Sequence, residues 1–386
     1  MTERSAELLV VGGGVVGLSI AYNCAKMKIG KVLLIDKGKV GRGASSRNLG
    51  GVREQFSNEP MIRLMKHSID IWEKLSGELQ WNVLFDQKGY LMLARTEAQA
   101  EQIRRNVKLQ NSLGVKSVVL SRERVLQMIP HLKSDDVICA SFNDRDGSVH
   151  HDAVLWGYER AARRMGVEIL EDVECFKFVS SSGEIKGAET SAGSILAKKL
   201  VNATGVFSKD LAATVGVNLP IKSYRREAAV TEPYKRFLKP VFWDLSLGLL
   251  LSQTLRGEVL CDTRDPWNEE SRETTVSLTF IKKLAKELHE LFPQLTGLNL
   301  LRQWSGTYDV TPDGSPILGE DDTVKGLYLA SGFTGHGLMV APALGTLFSE
   351  YISSGKKPEL LKPFRLSRFA EGKPIMEPLV AGRKLS

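Results

Sequence analysis

The sequence of 386 residues lacks the features that mark several special classes of protein. Its four cysteines, Cys24, Cys139, Cys175 and Cys261, are widely spaced and form no CxxC pair. This argues against a zinc site and against a fold held by disulfide bonds. No run of about 18 apolar residues occurs, so a membrane-spanning helix is not expected. We therefore expect a cytoplasmic protein without a bound metal.

Long runs of one charge and internal repeats are also absent. Lys and Arg number 52 and Asp and Glu 45, which gives a net charge of +7, but the two signs are interspersed along the chain. This is typical of a solvated surface with a mild preference for anionic ligands, and it does not favour a nucleic-acid partner. The length is sufficient for two or three domains with a sizeable core.

The most informative stretch covers residues 8–36, where two apolar runs flank three glycines. Leu8–Val11 is followed by Gly12, Gly14 and Gly17, then by a segment rich in small residues, and a second apolar run leads to Asp36. This order predicts the strand, turn, helix and strand of a dinucleotide-binding unit.

Each residue type in this unit has a physical role. Gly12 permits the tight turn, Gly14 lets backbone amides approach a pyrophosphate, and Gly17 lets the helix pack close to the strand. Asp36 can accept hydrogen bonds from a ribose diol. The unit by itself does not separate NAD from FAD, so an NAD-dependent dehydrogenase stays open at this point.

A second glycine-rich turn near the carboxyl end favours FAD. Residues 326–337 read as a strand that runs into this turn, and residues 338–351 then show helical spacing. The amino end of a helix would stabilise the negative charge that builds at the N1–C2=O edge of a reduced flavin. An NAD domain has no need of such a helix.

The remaining pattern predicts an α/β protein with two domains. A Rossmann-like FAD-binding domain is expected to be discontinuous, over 1–84, 146–216 and 301–386. A second domain, built on a mainly antiparallel sheet over 85–145 and 217–300, would bind the substrate. Apolar spacing and helix-ending residues predict helices over 60–79, 97–113, 121–129, 153–165 with Asp152 as its cap, and 278–292.

Six motifs in a fixed order resemble those of a known family. They are VVGGGVVGLSIAYNCAK, GASSRNLGGVR, DAVLWGYERAARRMGVEI, LVNATG, RQWSGTYDVTPDGSPILG and SGFTGHGLMVAPALG. With them the chain resembles the FAD-dependent amine and amino-acid oxidoreductases of the D-amino-acid oxidase superfamily. Within that superfamily it is most similar to the group of the sarcosine oxidase beta subunit and dye-linked L-proline dehydrogenase.

The resemblance implies a cofactor site for FAD. FAD should be bound non-covalently, because Gly306 stands where a relative attaches FAD to a cysteine. The implied cofactor-binding residues are Gly12, Gly14, Val15, Val16, Gly17, Asp36, Lys37, Ala44, Ser45, Ser46, Asn48, Leu49, Val173, Ala203, Gly205, Gly335, Gly337, Leu338 and Met339.

The resemblance also implies a substrate with a carboxylate. Arg53 stands where a relative binds that group; its other reading is a surface ion pair with Glu54 or Glu59. Tyr308 matches a tyrosine on the substrate side of the flavin and is otherwise a core tyrosine. His336 is a third candidate catalytic residue, expected more as a member of the turn than as a base.

Two departures from the family pattern bear on the reaction. Met339 replaces a lysine that helps to bind the carboxylate in a relative. Cys261 stands roughly where that relative has a lysine that activates oxygen. The loss of this positive charge favours a dehydrogenase that passes electrons to another carrier.

A partner subunit is implied by one further segment. His150 and His151 resemble the place where the sarcosine oxidase beta subunit carries a second flavin, FMN, at a subunit interface, and His151 is the candidate. The alternative reading is an exposed pair of histidines before a helix that Asp152 caps.

The expected reaction is the oxidation of a secondary-amine amino acid of the sarcosine or L-proline type. A hydride would pass from the α-carbon to flavin N5 and leave an imine. Two alternatives stay open: oxidation of a primary amine, as in glycine or D-amino-acid oxidases, and a non-catalytic subunit in which FAD only stabilises the fold.

Overall fold

The computed structural model describes residues 4–133, 135–263 and 269–378, and the extreme ends of the predicted FAD-binding domain lie outside these ranges. The strands are β1 Arg4–Val11, β2 Val32–Ile35, β3 Gly51–Val52, β4 Tyr90–Ala94, β5 Val118–Ser121, β6 Cys139–Asn143, β7 Gly147–Ser148, β8 Glu168–Leu170, β9 Cys175–Ser181, β10 Glu184–Thr190, β11 Gly193–Asn202, β12 Lys222–Thr231, β13 Val241–Asp244, β14 Leu250–Gln253, β15 Val259–Asp262, β16 Leu300–Val310, β17 Ile317–Glu320 and β18 Leu327–Ser331. The helices are α1 Val15–Lys26, α2 Glu59–Leu79, α3 Glu97–Ser112, α4 Arg122–Met128, α5 His151–Arg164, α6 Ser208–Ala213, α7 Leu278–Leu291 and α8 Gly337–Ser354.

The first sheet has the strand order β17-β18-β11-β1-β2-β8, and its strands from β18 to β8 run parallel. Strand β1 is apolar on both faces because both faces are covered. Leu8 and Val10 pack in the cluster formed with α1, α2, α5 and α8, whereas Leu9 and Val11 pack against the β9–β10 hairpin and α6. The predicted strand, turn, helix and strand of a Rossmann-like unit are confirmed.

The second sheet has the order β16-β12-β15-β14-β13-β4-β6-β5 and is antiparallel except between β4 and β13. Helix α7 covers one face through Phe280 and Leu284. The predicted mixed α/β class with a mainly antiparallel second domain is confirmed. Strand β16 pairs with β12 along its length, although its residues lie in the range predicted for the FAD-binding domain. We keep the domain limits as a proposal.

The predicted helices form, with one error at a helix start. Asn58 caps α2 by accepting a hydrogen bond from the Met61 amide, and Ser277 caps α7 in the same way. Helix α5 begins at His151, and no side chain caps it. The predicted cap Asp152 is wrong, because this residue lies within the first turn, where a carboxylate interacts favourably with the helix dipole instead.

No helix in the described part of the chain is both long and apolar enough to cross a bilayer.

A buried ion pair fixes the carboxyl-terminal segment to the turn between β16 and β17. The Arg368 Nε donates to Asp313 Oδ2 at 2.8 Å and its Nη2 to Oδ1 at 3.0 Å, and both side chains are fully buried. The Ile375 amide also donates to the Asp313 carboxylate. This one carboxylate therefore holds two separate parts of residues 359–378.

We expect Arg368→Met to lower the free energy of unfolding by about 3–5 kcal/mol, because it leaves the Asp313 charge buried without its partner. Arg365→Met is the matched control, since Arg365 pairs with Glu371 at the surface, where ion pairs contribute little. Urea unfolding followed by tryptophan fluorescence measures both variants. Equal losses in the two would contradict this assignment.

Candidate cofactor and substrate site

Two adjoining cavities are lined by residues of both sheets. The larger, of about 630 Å³, extends from the glycine turn after β1 to the turn before α8. The smaller, of about 100 Å³, contains Arg53 and His336, and it shares Tyr308 and Gly335 with the larger one. Pockets for drug-sized ligands measure roughly 300–1,000 Å³. The larger cavity therefore suits a nucleotide-sized molecule, and the smaller one suits only a small substrate.

The glycine turn is closed so tightly that side chains cannot be accommodated. At Gly12, where φ is +109°, a Cβ would lie 2.4 Å from the Ala203 carbonyl oxygen. At Gly17 a Cβ would lie 1.9 Å from the Gly12 carbonyl oxygen. Such distances exclude any other residue at these two positions without movement of the backbone. The turn thus leaves the amino end of α1 open to the cavity.

Ser45 completes the amino end of α1 from a separate loop. The residue before the helix is Gly14, which has no side chain to cap it, and the Val15 amide donates instead to Ser45 Oγ at 3.0 Å. Because this oxygen accepts there, the hydroxyl hydrogen is left to donate to a phosphate oxygen. Asn48 fixes the loop by donating to the Ser45 carbonyl oxygen at 2.6 Å.

Asp36 lies at the end of β2 with both carboxylate oxygens oriented by backbone amides. The Gly13 amide donates to Oδ2 at 2.7 Å and the Gly38 amide to Oδ1 at 2.9 Å. Burial raises the pKa of Asp36, while these two hydrogen bonds oppose that shift. Each oxygen keeps a second lone pair for a ribose hydroxyl.

Beside the predicted Lys37, the larger cavity is lined by Phe207 and Arg272, which the sequence did not reveal. The Lys37 Nζ lies 3.4 Å from the centroid of the Phe207 ring, and the Arg272 guanidinium lies 5.3 Å from the same ring. Arg272 comes from the second domain and pairs with Asp210 of α6. These contacts join distant segments, so no local pattern could have predicted them.

Most of the predicted cofactor-binding residues line the larger cavity. They are Gly12, Gly14, Val15, Val16, Asp36, Lys37, Ala44, Ser45, Asn48, Val173, Ala203, Gly205, Gly335, Gly337 and Leu338. Gly17, Ser46 and Leu49 do not line it, and Met339 lines the smaller cavity. Ser46 follows Ser45 within a single 3₁₀ turn, in which successive side chains diverge by about 120°.

Arg53 is buried in the smaller cavity, with 2% of its surface exposed. Its Nη1 donates to the Gln55 carbonyl oxygen, and its guanidinium carbon lies 3.9 Å from the centroid of the Phe56 ring. Among the described residues no carboxylate pairs with it. The reading of Arg53 as a surface ion pair is therefore wrong: Glu54 contacts Asn143 and Arg145, and Glu59 pairs with Arg63.

A buried carboxylate holds the segment that presents Arg53. Asp146 Oδ1 accepts from the Glu54 amide and Oδ2 from Gln55 Nε2, both at 2.8 Å. Gln55 Nε2 also donates to the Tyr90 carbonyl oxygen at 2.9 Å. Burial raises the pKa of Asp146 to about 8, against the opposing effects of these hydrogen bonds and the Arg53 charge. The segment that follows Arg53 is thus fixed before any substrate arrives.

The turn before α8 packs directly against Tyr308. At Gly335, where φ is +89°, a Cβ would lie 2.3 Å from the Tyr308 ring. The adjacent Asp309 is buried, and its Oδ2 accepts from the Gly332 amide at 2.8 Å. Burial raises the pKa of Asp309 to about 6. Together these contacts fix the position of the turn relative to β16.

His336 precedes α8 and contacts Arg53. Its Nε2 lies 3.2 Å from the Arg53 Nη2, and its ring packs edge-on against Phe56. Arginine has only donors, so Nε2 accepts this hydrogen bond and the ring proton belongs on Nδ1. The geometry gives His336 a role in orienting Arg53.

Cys261 does not face either cavity. Its thiol is fully buried in the core beneath α7, and burial raises its pKa. On β15 the next residue, Asp262, lines the smaller cavity instead, together with Arg226 of β12. The expectation that Cys261 stands at the flavin in place of a lysine is therefore wrong, because alternate residues of a strand point to opposite faces.

His151 lines neither cavity. Its Nε2 lies 3.6 Å from Asp152 Oδ1, and its ring centroid lies 5.4 Å from that of His150. Burial lowers the pKa of His151. In the described residues no group of three or more His, Cys, Asp and Glu side chains is placed to hold a metal ion.

Comparison with known proteins identifies the family. The family described as FAD dependent oxidoreductase (DAO) matches residues 7–351. The chain belongs to this family. It is therefore a flavoprotein oxidoreductase whose cofactor is FAD, which agrees with the predicted resemblance and excludes the NAD-dependent alternative.

Among the proteins similar to this FAD-dependent oxidoreductase are two of known sequence and one of known structure. The sarcosine oxidase subunit beta of Rhodobacter capsulatus is 33% identical over 98% of this chain and 92% of its own length. The glycine oxidase of Geobacillus kaustophilus is 27% identical over 95% of this chain and 98% of its own length. The crystal structure of L-proline dehydrogenase from P. horikoshii superposes with a TM-score of 0.91 and 31% identity over 97% of this chain and 100% of that one.

The described residues fit FAD. The larger cavity has the volume for it, a helix amino end with a bare glycine turn for its pyrophosphate, and an oriented carboxylate for its ribose. The turn before α8 lies where both cavities meet, so residues of this turn would hold the isoalloxazine.

We expect Ser45→Ala to weaken FAD binding roughly five- to tenfold, because it removes the hydroxyl that the contact with the Val15 amide leaves free to donate to a phosphate oxygen. Ser46→Ala is the matched control: it is the same change one residue later, outside the cavity, and should leave FAD affinity unchanged. Titration of the apoprotein with FAD, followed by flavin fluorescence, measures both. Equal affinities in the two variants would contradict the role of Ser45.

Proposed function

We propose that this enzyme oxidises a secondary-amine amino acid of the sarcosine or L-proline type. The observation that carries the proposal is the Arg53 guanidinium, buried in a cavity of about 100 Å³ with no paired carboxylate among the described residues. The named activities of the sarcosine oxidase and L-proline dehydrogenase relatives support it.

Arg53 binds and orients the substrate carboxylate in this proposal. A guanidinium offers parallel N–H donors that match the two oxygens of a carboxylate. The contact with His336 and the ring of Phe56 hold the side chain, so little conformational entropy is lost on binding. Met339 lines the same cavity and carries no charge. Arg53 therefore supplies the positive charge that binds the carboxylate, and neighbouring hydrogen-bond donors assist it.

When bound, FAD supplies the acceptor at N5 for the hydride that leaves the substrate α-carbon. The chain's own residues prepare the substrate for this loss. The positive charge of Arg53 disfavours the protonated amine and so favours the neutral form, whose lone pair assists departure of the hydride and formation of the imine. Tyr308 borders both cavities and limits where the substrate can lie. No dedicated strong base is required.

Oxidation of a primary amine is a second candidate, because the chain is 27% identical to a glycine oxidase. Anaerobic mixing of the holoenzyme with sarcosine, L-proline, D-proline, glycine and dimethylglycine separates the two. Loss of flavin absorbance with sarcosine or L-proline supports the proposal, and loss with glycine alone supports the alternative. No bleaching by any of them would support a non-catalytic FAD subunit.

We expect Arg53→Met to raise KM for the amino acid by roughly a hundredfold or more, while FAD stays bound, because two charge-assisted hydrogen bonds are lost. The matched control is the substrate amide, such as L-prolinamide, which lacks the negative charge. The wild-type enzyme should discriminate strongly between the amino acid and its amide, whereas the Arg53→Met variant should not. An undiminished preference for the acid in the variant would remove Arg53 from the site.

We also propose that the chain works with a partner subunit and that His151 lies at a site for FMN. The name of the 33% identical relative, a subunit beta, supports a partner.

Four free cysteines support a cytoplasmic location.

Purification of the chain with and without its co-expressed partner tests the second flavin. We expect FMN beside FAD only in the complex, its loss in His151→Ala and its retention in the control His150→Ala. One flavin in the complex, or FMN retained in His151→Ala, would contradict the proposal.

A further inference from the structure

The wall of the smaller cavity is formed by one row of side chains across the second sheet. Arg226 of β12 lies two residues from Ala228, which the register places opposite Asp262 of β15. Asp262 pairs with Leu250, and Leu250 pairs with Trp243. All four side chains line the cavity. The row is fixed by strand pairing and not by a mobile loop.

Arg226 and Asp262 form an ion pair within this wall. The Arg226 Nη2 lies 3.6 Å from Asp262 Oδ1, and the two side chains are 9% and 17% exposed. The cavity also contains Arg53, which has no such carboxylate partner among the described residues. The two arginines of the cavity thus differ in kind: one is neutralised by the protein, and the other is left to bind an anion.

We propose that the Arg226–Asp262 pair determines the substrate range, by excluding amino acids with a charged side chain. This rests on the proposed function, because it takes the substrate carboxylate to lie on Arg53. A second carboxylate that reaches the wall meets Arg226 only beside the opposing charge of Asp262, and an ammonium group meets Asp262 only beside that of Arg226. Neither charge finds an unneutralised partner that would compensate for its lost hydration. A small uncharged side chain has no ionic hydration to lose at this wall.

Substitution of the two residues of the pair should change the ligand preference in opposite directions. Asp262→Asn keeps the size of the side chain but removes the negative charge beside Arg226, so a ligand with a second carboxylate should gain affinity. Arg226→Met leaves the Asp262 charge, so a ligand with a distal ammonium should gain affinity. Specificity of this kind arises from the unfavourable pairing that the native residues impose on the wrong ligand.

Three unreactive four-carbon ligands test the proposal: butyrate, succinate and 4-aminobutyrate. They share one carboxylate and differ at the other end, which is neutral, negative or positive. Their affinities for the FAD-loaded protein follow from changes in the visible flavin spectrum and from thermal shifts. We expect Asp262→Asn to raise the preference for succinate over butyrate at least roughly tenfold, the effect of one new charge-assisted hydrogen bond. Arg226→Met should raise the preference for 4-aminobutyrate similarly.

Glu227→Gln is the matched control. Glu227 neighbours Arg226 on β12, lies near Arg225 at 3.5 Å and accepts from Ser277 on the other face of the sheet. It should leave all three preferences unchanged.

Unchanged preferences in both pair variants would overturn the proposal, as would equal weakening of all three ligands. If one variant fails to fold, the other decides. These binding measurements are independent of turnover. Shifted preferences without reduction of the flavin by any amine would contradict the proposed function and support this inference; the reverse result would contradict the inference alone.

Discussion

A buried guanidinium that needs an anion is the constraint on which the substrate site depends. Arg53 is almost fully buried, yet the described residues that contact it supply neutral groups: a carbonyl oxygen, an imidazole and two aromatic rings. A buried charge of this kind is costly unless it is paired. The surrounding structure holds it in place, through the hydrogen bonds of Asp146 to the segment 54–55. This arrangement supports the proposed role of Arg53 in binding a small carboxylate.

The two domains contribute different parts of this arrangement. The parallel sheet supplies two helix amino ends, at α1 and α8, which face opposite parts of the larger cavity. The antiparallel sheet supplies the wall of the smaller one, where strand pairing fixes which side chains face inward. The larger and the smaller cavity meet at Tyr308 and Gly335, where a close contact permits only glycine.

Local features could be predicted from the sequence, and long-range ones could not. The glycine turn, Asp36 and the turn before α8 follow from short patterns because their geometry depends on neighbouring residues. Arg226 and Asp262 were missed, since their place in the cavity depends on the register of distant strands. Because alternate residues of a strand face opposite sides of the sheet, Cys261, which precedes Asp262, lies in the core. Apolar spacing located the helices, whereas α5 begins at His151, two residues before the predicted start, so Asp152 lies inside its first turn.

A crystal structure of the FAD-loaded protein with a small unreactive carboxylate, such as butyrate, tests the central claim most directly. We expect both carboxylate oxygens to lie within hydrogen-bond distance of the Arg53 guanidinium in the smaller cavity, while Arg226 remains paired with Asp262. A carboxylate bound to Arg226, or outside this cavity, would contradict it.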